Sequence, residues 1–391
     1  MISPEELSAR GVEELGRLVA FDTTSRLSNL ALIEHVEGLL AAQGVASRRV
    51  ASADGRKANL YATIGPMVEG GVVLSGHTDV VPVDGQAWSS DPFMLTERDG
   101  KLYGRGTCDM KGFIALALAA VPGFVAAGLK RPVHLAWSYD EEVGCLGAPD
   151  MIREIAAQVP RPLAVIVGEP TSMEAVNGHK GIRTFTVRVT GKEAHSSRTD
   201  LGVSAVMSAV RLMAVLSDVA ERLKREADAA SPFHPKETTL TIGVVNGGTA
   251  GNILARECNF LFDVRAAPGF DAERALAPFF AALEVEDAAL KRWGEECGVT
   301  LERRSKTPPL SPEPNGAAEA LARVLAGDNG PARAVAFAAE AGQFQEAGFS
   351  TVICGPGSID QAHQPDEFVE ISQMQRGAAF MVRLAEHLAA D

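Results

Sequence analysis

The chain has 391 residues, of which 46% are hydrophobic and 22% charged, and its formal net charge is -13 at pH 7. This length exceeds what one hydrophobic core usually serves, so two domains with the composition of a globular protein are expected. The negative charge would repel a phosphate backbone, which argues against nucleic acid as a partner.

Residues 1–18 carry acidic side chains and have no apolar segment of the kind found in a signal peptide, so they predict an amphipathic first helix. The most apolar internal stretch, residues 113–128, is interrupted by Pro122 and is too short to span a bilayer, which predicts a buried helix. No membrane partner and a cytoplasmic location are therefore expected. Five scattered cysteines without a CxxC pair argue against a disulfide framework and a thiolate zinc site.

From residue 1 to about 180, short apolar runs alternate with helical stretches. The predicted elements are strands at 58–64, 72–75, 133–139 and 163–167 and helices that begin after Gly112 and near Pro149. Such alternation predicts a mostly parallel α/β sheet.

Beyond Gly181 the pattern changes. Strands are predicted at 184–190, 238–245, 259–265 and 299–303, and helices at 203–227 and 271–298. This order predicts a compact α+β unit, and the proline-rich stretch 307–314 marks the return to the α/β pattern. The sequence thus predicts an α/β protein whose discontinuous catalytic domain, residues 1–181 and 306–391, has a mostly parallel mixed sheet and carries an inserted α+β domain at 182–305.

Five acidic or imidazole side chains each follow an apolar run, namely His77, Asp109, Glu142, Glu169 and His363. In open α/β sheets, ligands gather outside the carboxyl ends of the strands. Two histidines and three carboxylates can hold two divalent cations with one carboxylate shared, which indicates metal-assisted hydrolysis with zinc, or with cobalt or manganese as substitutes. Taken singly, each residue could be a helix cap or a loop residue.

Three acids, Asp79, Glu141 and Glu142, have distinct expected roles. Because strand residues two apart share a face, the Asp79 carboxylate can reach the His77 ring and fix its tautomer, with a surface His–Asp pair as the alternative. Adjacent residues point in different directions, so one of Glu141 and Glu142 can bind metal while the other serves as a general base. The alternative for these two is a solvated acidic loop.

The chain resembles the M20 family of dinuclear zinc amidohydrolases and peptidases over nearly its whole length. The resemblance is carried by the motifs SGHTDVVPVDG, LYGRGTCDMKG, DEEVGCLGA, GEPT, EAHSS and GPGSIDQAHQPDEF. It implies that His77 and Glu169 hold one zinc ion, that Glu142 and His363 hold the other, and that Asp109 bridges both. Glu141 is then the general acid and base.

The resemblance also implies a homodimer formed through the inserted domain, in which His195 reaches a neighbouring active site and stabilises the oxyanion. By sequence alone, His195 is a surface loop residue. Asn252 and Arg265 match substrate contacts of the family, although Arg265 could equally form a structural ion pair. Glu340, Gly357 and Ser358 are expected to contact the substrate as well; Ala338-Ala339 stand before Glu340 where similar deacetylases have Gly-Thr.

The implied reaction is removal of the acetyl group from the small molecule N2-acetyl-L-ornithine. Succinylated diaminopimelate, another N-acyl amino acid or a dipeptide are alternative substrates. Two other classes stay open: a metal-binding protein without catalysis, which would not need Glu141, and a thiol hydrolase that uses Cys108 or Cys145 with a histidine.

Overall fold

The computed structural model describes residues 2–390 and divides the chain into two compact units. Unit 1 contains the residues up to Gly178, Leu310–Ala334 and the residues from Ala339 onward; unit 2 contains His179–Pro309 and Val335–Ala338. The helices are α1 Pro4–Val19, α2 Leu30–Ala42, α3 Gly112–Ala126, α4 Ala148–Gln158, α5 Ala205–Arg225, α6 Ala272–Lys291, α7 Ala317–Ala326, α8 Ala341–Glu346 and α9 Ile371–Ala389. The strands are β1 Ser47–Ala51, β2 Ala58–Ile64, β3 Val72–His77, β4 Thr96–Arg98, β5 Lys101–Tyr103, β6 Val133–Ser138, β7 Ala164–Val167, β8 Gly178–His179, β9 Gly181–Thr190, β10 Thr239–Gly247, β11 Glu257–Ala266, β12 Gly298–Thr307, β13 Ala334–Val335, β14 Thr351–Ile353 and β15 Phe368–Glu370.

Unit 1 is built on a six-stranded sheet with the order β1-β2-β6-β3-β7-β14. Strands β6, β3, β7 and β14 run parallel, whereas β2 is antiparallel to β6 and β1 is antiparallel to β2. The predicted α/β class with a mostly parallel mixed sheet is confirmed. Because the four parallel strands share one carboxyl edge, the loops that follow them emerge side by side.

Helix α3 lies in the core of unit 1, and most of its residues from Gly112 to Phe124 are buried, whereas Val125 at its last turn is exposed. A stretch that includes it, Thr107–Ala126, is long and apolar enough to cross a membrane, but 78% of its most apolar window is buried inside the fold. This burial is typical of a core helix and agrees with the prediction from the sequence.

Two glycines allow the backbone to pass closely at the carboxyl edge of the sheet. A Cβ on Gly168, which follows β7, would lie 2.1 Å from the ring of Phe113. A Cβ on Gly355, which follows β14, would lie 2.0 Å from the Gly168 carbonyl oxygen. Only residues without a side chain fit at these points, so the chain after β7 passes directly over Phe113 at the start of α3, and the chain after β14 passes directly over the chain after β7.

Unit 2 has a four-stranded antiparallel sheet with the order β10-β11-β9-β12, and it has a core of its own with α5 and α6. Aromatic rings form the centre of this core: Phe262 stacks on Phe185 at 4.9 Å and meets Phe279 edge-on at 5.2 Å. The predicted helix 271–298 was too long. Helix α6 ends at Lys291, and Gly294, with a φ of +157°, lies in the turn that leads into β12.

Candidate metal centre

His77 is the last residue of β3 and is fully buried. Its Nδ1 atom lies 2.8 Å from the backbone oxygen of Asp79, which can only accept, so Nδ1 carries a proton, and Nε2 is the atom that can bind a cation once the ring is neutral. The prediction that the Asp79 carboxylate fixes this tautomer was wrong, because that carboxylate lies 3.7 Å from Nδ1. It accepts hydrogen bonds from Ser25 Oγ at 2.7 Å and from the backbone N–H groups of Glu141 and Glu142 at 3.1 and 3.3 Å. Asp79 therefore holds the turn that carries the two glutamates.

Asp109 lies between the two histidines. It belongs to a π-helical turn before α3 in which its own backbone is non-helical, with φ -121° and ψ 91°. One carboxylate oxygen is 2.9 Å from His77 Nε2, and the other is 3.2 Å from His363 Nε2. Burial alone would raise the pKa of Asp109, but the hydrogen bonds from the two imidazoles outweigh burial and hold this pKa below its ordinary range.

Each histidine also faces a second carboxylate. Glu169, which follows β7, has an oxygen 3.8 Å from His77 Nε2, and Glu142, which follows β6, has one 3.0 Å from His363 Nε2. Burial, reinforced by the charge of Asp109, raises the pKa of Glu142 to about 7 and raises that of Glu169 as well. Hydrogen bonds to Asp109 and Glu142 raise the pKa of the half-exposed His363 to about 11.

Glu141 and Glu142 have different neighbours: Glu141 lies near His77 and Glu169, and Glu142 lies near His77 and Asp109. Glu141 has an oxygen within 4.8 Å of ligand atoms of His77 and Glu169, and the thiol of Cys145 donates to it at 3.1 Å. Burial, with the charges of Glu142 and Asp109, raises the pKa of Glu141 to about 8. A carboxylate with this pKa can accept and release a proton near neutral pH.

The donor set fits two divalent cations. Two imidazoles and three carboxylates converge around Asp109, and Glu142 Oε1 and Glu169 Oε1 are buried without a hydrogen-bond partner among residues 2–390. Buried carboxylate oxygens without a partner are costly unless a cation or another donor neutralises them. Oxygen and imidazole ligands without thiolate suit zinc and related ions, so this arrangement can support metal-assisted hydrolysis.

The thiols have other roles in the fold. Cys108 is buried, donates to the Ser358 backbone oxygen at 3.2 Å, and burial raises its pKa well above the ordinary value. A thiol that is kept protonated is a poor nucleophile. This environment argues against Cys108 as the nucleophile of a thiol hydrolase.

Three predicted substrate contacts, Glu340, Gly357 and Ser358, belong to unit 1 and have different surroundings. Glu340 is fully buried and accepts hydrogen bonds from Ser138 Oγ and, at 3.2 Å, from Ser75 Oγ, so its carboxylate is held inside the fold. Gly357 has a φ of +88°, and a Cβ there would lie 2.6 Å from Cys108 Sγ. Ser358 caps the short 3₁₀ helix Ile359–Gln361.

In unit 2, the segments that carry His195 and Asn252 lie side by side. The backbone N–H of Ser196 donates to the Asn252 oxygen at 2.9 Å, beside an antiparallel bridge from His195 to Ile253. Arg265 lies on β11 and pairs with Asp263 at 2.8 Å, which is the structural ion pair named as the alternative for this residue.

Several residues that shape the centre were missed by sequence reasoning. Ser25, Arg105, Cys145 and Glu367 all hydrogen-bond to the residues or turns that carry the ligands. Arg105, Cys145 and Glu367 lie inside the motifs that carry the family resemblance. The motifs draw attention to these residues but do not show which side chains or backbone groups they contact. Ser25 lies in none of these motifs.

Comparison with known proteins assigns the chain to a family. The sequence model described as Peptidase family M20/M25/M40 matches residues 73–387. An acetylornithine deacetylase from Myxococcus xanthus is 38% identical over 379 residues, which are 95% of this chain and 96% of that protein. The chain therefore belongs to peptidase family M20/M25/M40 and is a hydrolase, as the sequence predicted.

Solved structures agree with this assignment at the level of the fold. An M20 family metallo-carboxypeptidase from Sulfolobus solfataricus matches with a TM-score of 0.76 at 18% identity, over 97% of this chain and 99% of that one. A protein from Bacillus subtilis described as a dinuclear metal-binding peptidase of the M20 family matches with a TM-score of 0.60 at 14% identity, over 98% and 99% of the two chains.

We predict that the metal-free protein loses stability as the pH is raised from about 5 to about 8. The pKa values of Glu142 and Glu141 are about 7 and about 8 in the folded chain, against an ordinary 4.5, because burial disfavours their charged forms. Between these values the folded chain keeps protons that the unfolded chain releases, so unfolding becomes easier as pH rises. His363 contributes in the same direction above its ordinary pKa of 6.5. Thermal melting of chelator-treated protein across this range measures the effect.

Glu142→Gln is the matched control, since the amide has the same shape and does not titrate. Without metal, this variant should melt at a higher temperature than the parent at pH 8 and differ from it less at pH 5. A metal-free parent whose melting temperature is constant or rises between these pH values would contradict the interpretation.

Proposed function

We propose that this hydrolase removes the acetyl group from N2-acetyl-L-ornithine and gives L-ornithine and acetate, a step of arginine biosynthesis in the cytoplasm. The observation that carries the metal-dependent part is the position of Asp109, whose two oxygens face His77 and His363 at 2.9 and 3.2 Å. The substrate is supported by the acetylornithine deacetylase from Myxococcus xanthus, which is similar over nearly the whole chain.

The proposed cofactor is a pair of divalent cations, zinc in the first place, with cobalt able to substitute. His77 and Glu169 would hold one ion, Glu142 and His363 the other, and Asp109 both. When bound, such ions supply the Lewis acidity that lowers the pKa of a water molecule and polarises an amide carbonyl.

Glu141 performs the proton transfers. Its carboxylate takes a proton from water as the water oxygen forms a bond to the acyl carbon, and it gives that proton to the amine nitrogen as the carbon–nitrogen bond breaks. The water oxygen ends in acetate and the proton on ornithine. Cys145 donates to Glu141 at 3.1 Å and restricts the orientation of the carboxylate. A protein that only stored metal would have no use for this glutamate.

The choice of substrate depends on the last motif, residues 355–368. It resembles the acetylornithine deacetylases more closely than the succinyl-diaminopimelate desuccinylases. A desuccinylase, a dipeptidase or another N-acyl-amino-acid hydrolase of the same family is the alternative activity.

Unit 2 is proposed to pair with a second copy and to supply His195 to the partner's active site. The Ser197 N–H donates to His195 Nδ1 at 3.2 Å, so the neutral ring carries its proton on Nε2 and can donate it to an oxyanion. Strand β10 lies at an edge of its sheet, and Val244 and Val245 on it are half exposed. An apolar edge strand of this kind favours pairing with another chain.

Glu141→Ala should reduce turnover by roughly 10²- to 10⁴-fold while the protein keeps its metal, because only the proton transfer is lost. His77→Ala should instead lose metal together with activity. Turnover and metal content of both variants, beside a control change of the exposed Glu346 to Ala, separate the two roles. Full activity in Glu141→Ala would refute the assignment of the general base.

The substrate is tested by release of amine from N2-acetyl-L-ornithine and from N-succinyl-diaminopimelate under the same conditions. We expect ornithine to be released with the higher kcat/KM and diaminopimelate to be released slowly or not at all. The reverse order would replace the proposed substrate while leaving the metal centre unaffected.

Mixing tests the contribution of His195. His195→Ala and Glu141→Ala should each be nearly inactive as pure proteins, and both should keep metal. If active sites are completed across a dimer, a mixture that exchanges subunits should regain part of the parent activity. A mixture that forms mixed dimers and stays inactive would argue that each chain uses its own His195 or none.

A further inference from the structure

Glu367 is a buried carboxylate in unit 1 whose oxygens accept four hydrogen bonds. One oxygen accepts from the backbone N–H groups of Cys108 and Asp109 at 2.9 and 3.1 Å. The other accepts from the Gly106 N–H at 3.0 Å and from Arg105 Nη1 at 2.7 Å. The side chains of Glu367 and Arg105 are each only 1% exposed, so these contacts are made away from solvent.

These bonds serve a turn that cannot satisfy its own backbone. Asp109 and Met110 have non-helical φ and ψ angles inside the π-helical turn, and Gly106 before it is left-handed with a φ of +83°. The N–H groups of such a turn need partners from elsewhere, because the regular helix ladder does not supply them. Glu367 supplies them and so fixes the backbone from which the Asp109 carboxylate extends.

Arg105 and Gln86 connect this turn to the opposite side of the centre. Arg105 Nη2 donates to Gln86 Oε1 at 2.6 Å, and Gln86 Nε2 donates to the backbone oxygen of His363 at 2.9 Å. Arg105 Nη1 also lies 3.3 Å from the Gln364 oxygen. The Trp88 ring, 5.0 Å from the guanidinium, donates its N–H to Gln86 at 3.0 Å and limits the motion of both side chains.

The hydrogen bonds thus form a closed path. It runs from the Asp109 N–H through Glu367, Arg105 and Gln86 to the His363 carbonyl, and it closes at the centre, where Asp109 Oδ2 and His363 Nε2 are 3.2 Å apart. His363 needs such support, because its side chain is 51% exposed and its backbone has a φ of +63°. A half-exposed loop residue has few packing contacts to keep a ligand atom in place.

We propose that Glu367, Arg105 and Gln86 are positioning residues that set the spacing between the Asp109 carboxylate and the His363 ring, and that this spacing determines the metal affinity of the centre. None of the three is among the five proposed ligands. This proposal rests on the proposed dinuclear centre. It adds the hydrogen bonds that orient two of the proposed ligands, Asp109 and His363.

The test uses Gln86→Met, which keeps the length of the side chain and removes all three of its hydrogen bonds, those with Arg105, Trp88 and His363. Gln158→Met, at an exposed glutamine at the end of α4, is the matched control. Zn²⁺ is titrated into each metal-free protein against a competing chelator, which measures affinity without reference to activity. Thermal melting of the metal-free proteins is measured beside it.

We expect Gln86→Met to bind one of its two zinc ions about 10- to 100-fold more weakly than Gln158→Met, as is usual when a group that orients a metal ligand is lost. Its metal-free melting temperature should fall only slightly, since Gln86 is not part of the core and only one acceptor of Arg105 is lost. Glu367→Gln should weaken both ions, because the Asp109 turn itself loses an acceptor. If Glu367→Gln does not fold, the zinc affinity of Gln86→Met still tests the proposal.

Affinities within twofold of the control in Gln86→Met would overturn the inference while leaving the proposed function intact. A drop in metal-free melting temperature without a change in zinc affinity would also overturn it, because the network would then serve only the fold. If the parent itself bound no zinc, the proposed metal centre would fail, and this inference with it.

Discussion

The centre of unit 1 is governed by repulsion among like charges held out of water. Asp109, Glu141, Glu142 and Glu169 are placed within a few ångströms of two histidines, and burial raises the pKa values of the three glutamates. An arrangement of this kind is unfavourable in a protein that has only its own side chains to neutralise it. The strands and turns of the fold must therefore hold these groups together against their mutual repulsion. Divalent cations remove this repulsion when they bind.

The positions of the proposed ligands depend on the sheet and on two further carboxylates that bind the backbone. Four parallel strands end at one edge of the sheet and bring His77, Glu142, Glu169 and the His363 loop to the same place. Two other buried acids face the backbone. Asp79 accepts from the N–H groups of Glu141 and Glu142, and Glu367 accepts from those around Asp109, so each fixes one of the turns on which ligands stand. The carboxylates proposed as ligands and the carboxylates that orient the turns are thus of the same chemical type and differ in what they face.

The strand ends could be predicted from the sequence because their pattern involves only residues that are close together in the chain. An apolar run followed by an acid or a histidine marks the carboxyl end of a buried strand, and parallel strands bring such ends together. The change of pattern after Gly181 likewise signals a different architecture. Helix α6 was predicted too long, since Ala, Leu and Glu continue the helical pattern up to the turn at Gly294.

Contacts between distant residues could not be predicted in this way. Glu340 was expected at the substrate, and nothing in the sequence shows that its carboxylate accepts a hydrogen bond from Ser75, 265 positions away. Asp79 was expected to use its carboxylate on His77, but the chain turns after β3 so that its carbonyl takes that place. Arg105 and Glu367 are 262 positions apart, and their side-chain types alone do not reveal that they pair. Such roles depend on the path of loops, which neither periodicity nor strand ends determine.

The most direct test is a crystal structure of the zinc-loaded protein with anomalous diffraction measured at the zinc absorption edge. The account predicts two anomalous peaks on either side of the Asp109 carboxylate, one also bound by His77 and Glu169 and the other by Glu142 and His363. A protein saturated with zinc that shows no peak beside Asp109, or whose ions lie away from these five side chains, would contradict it.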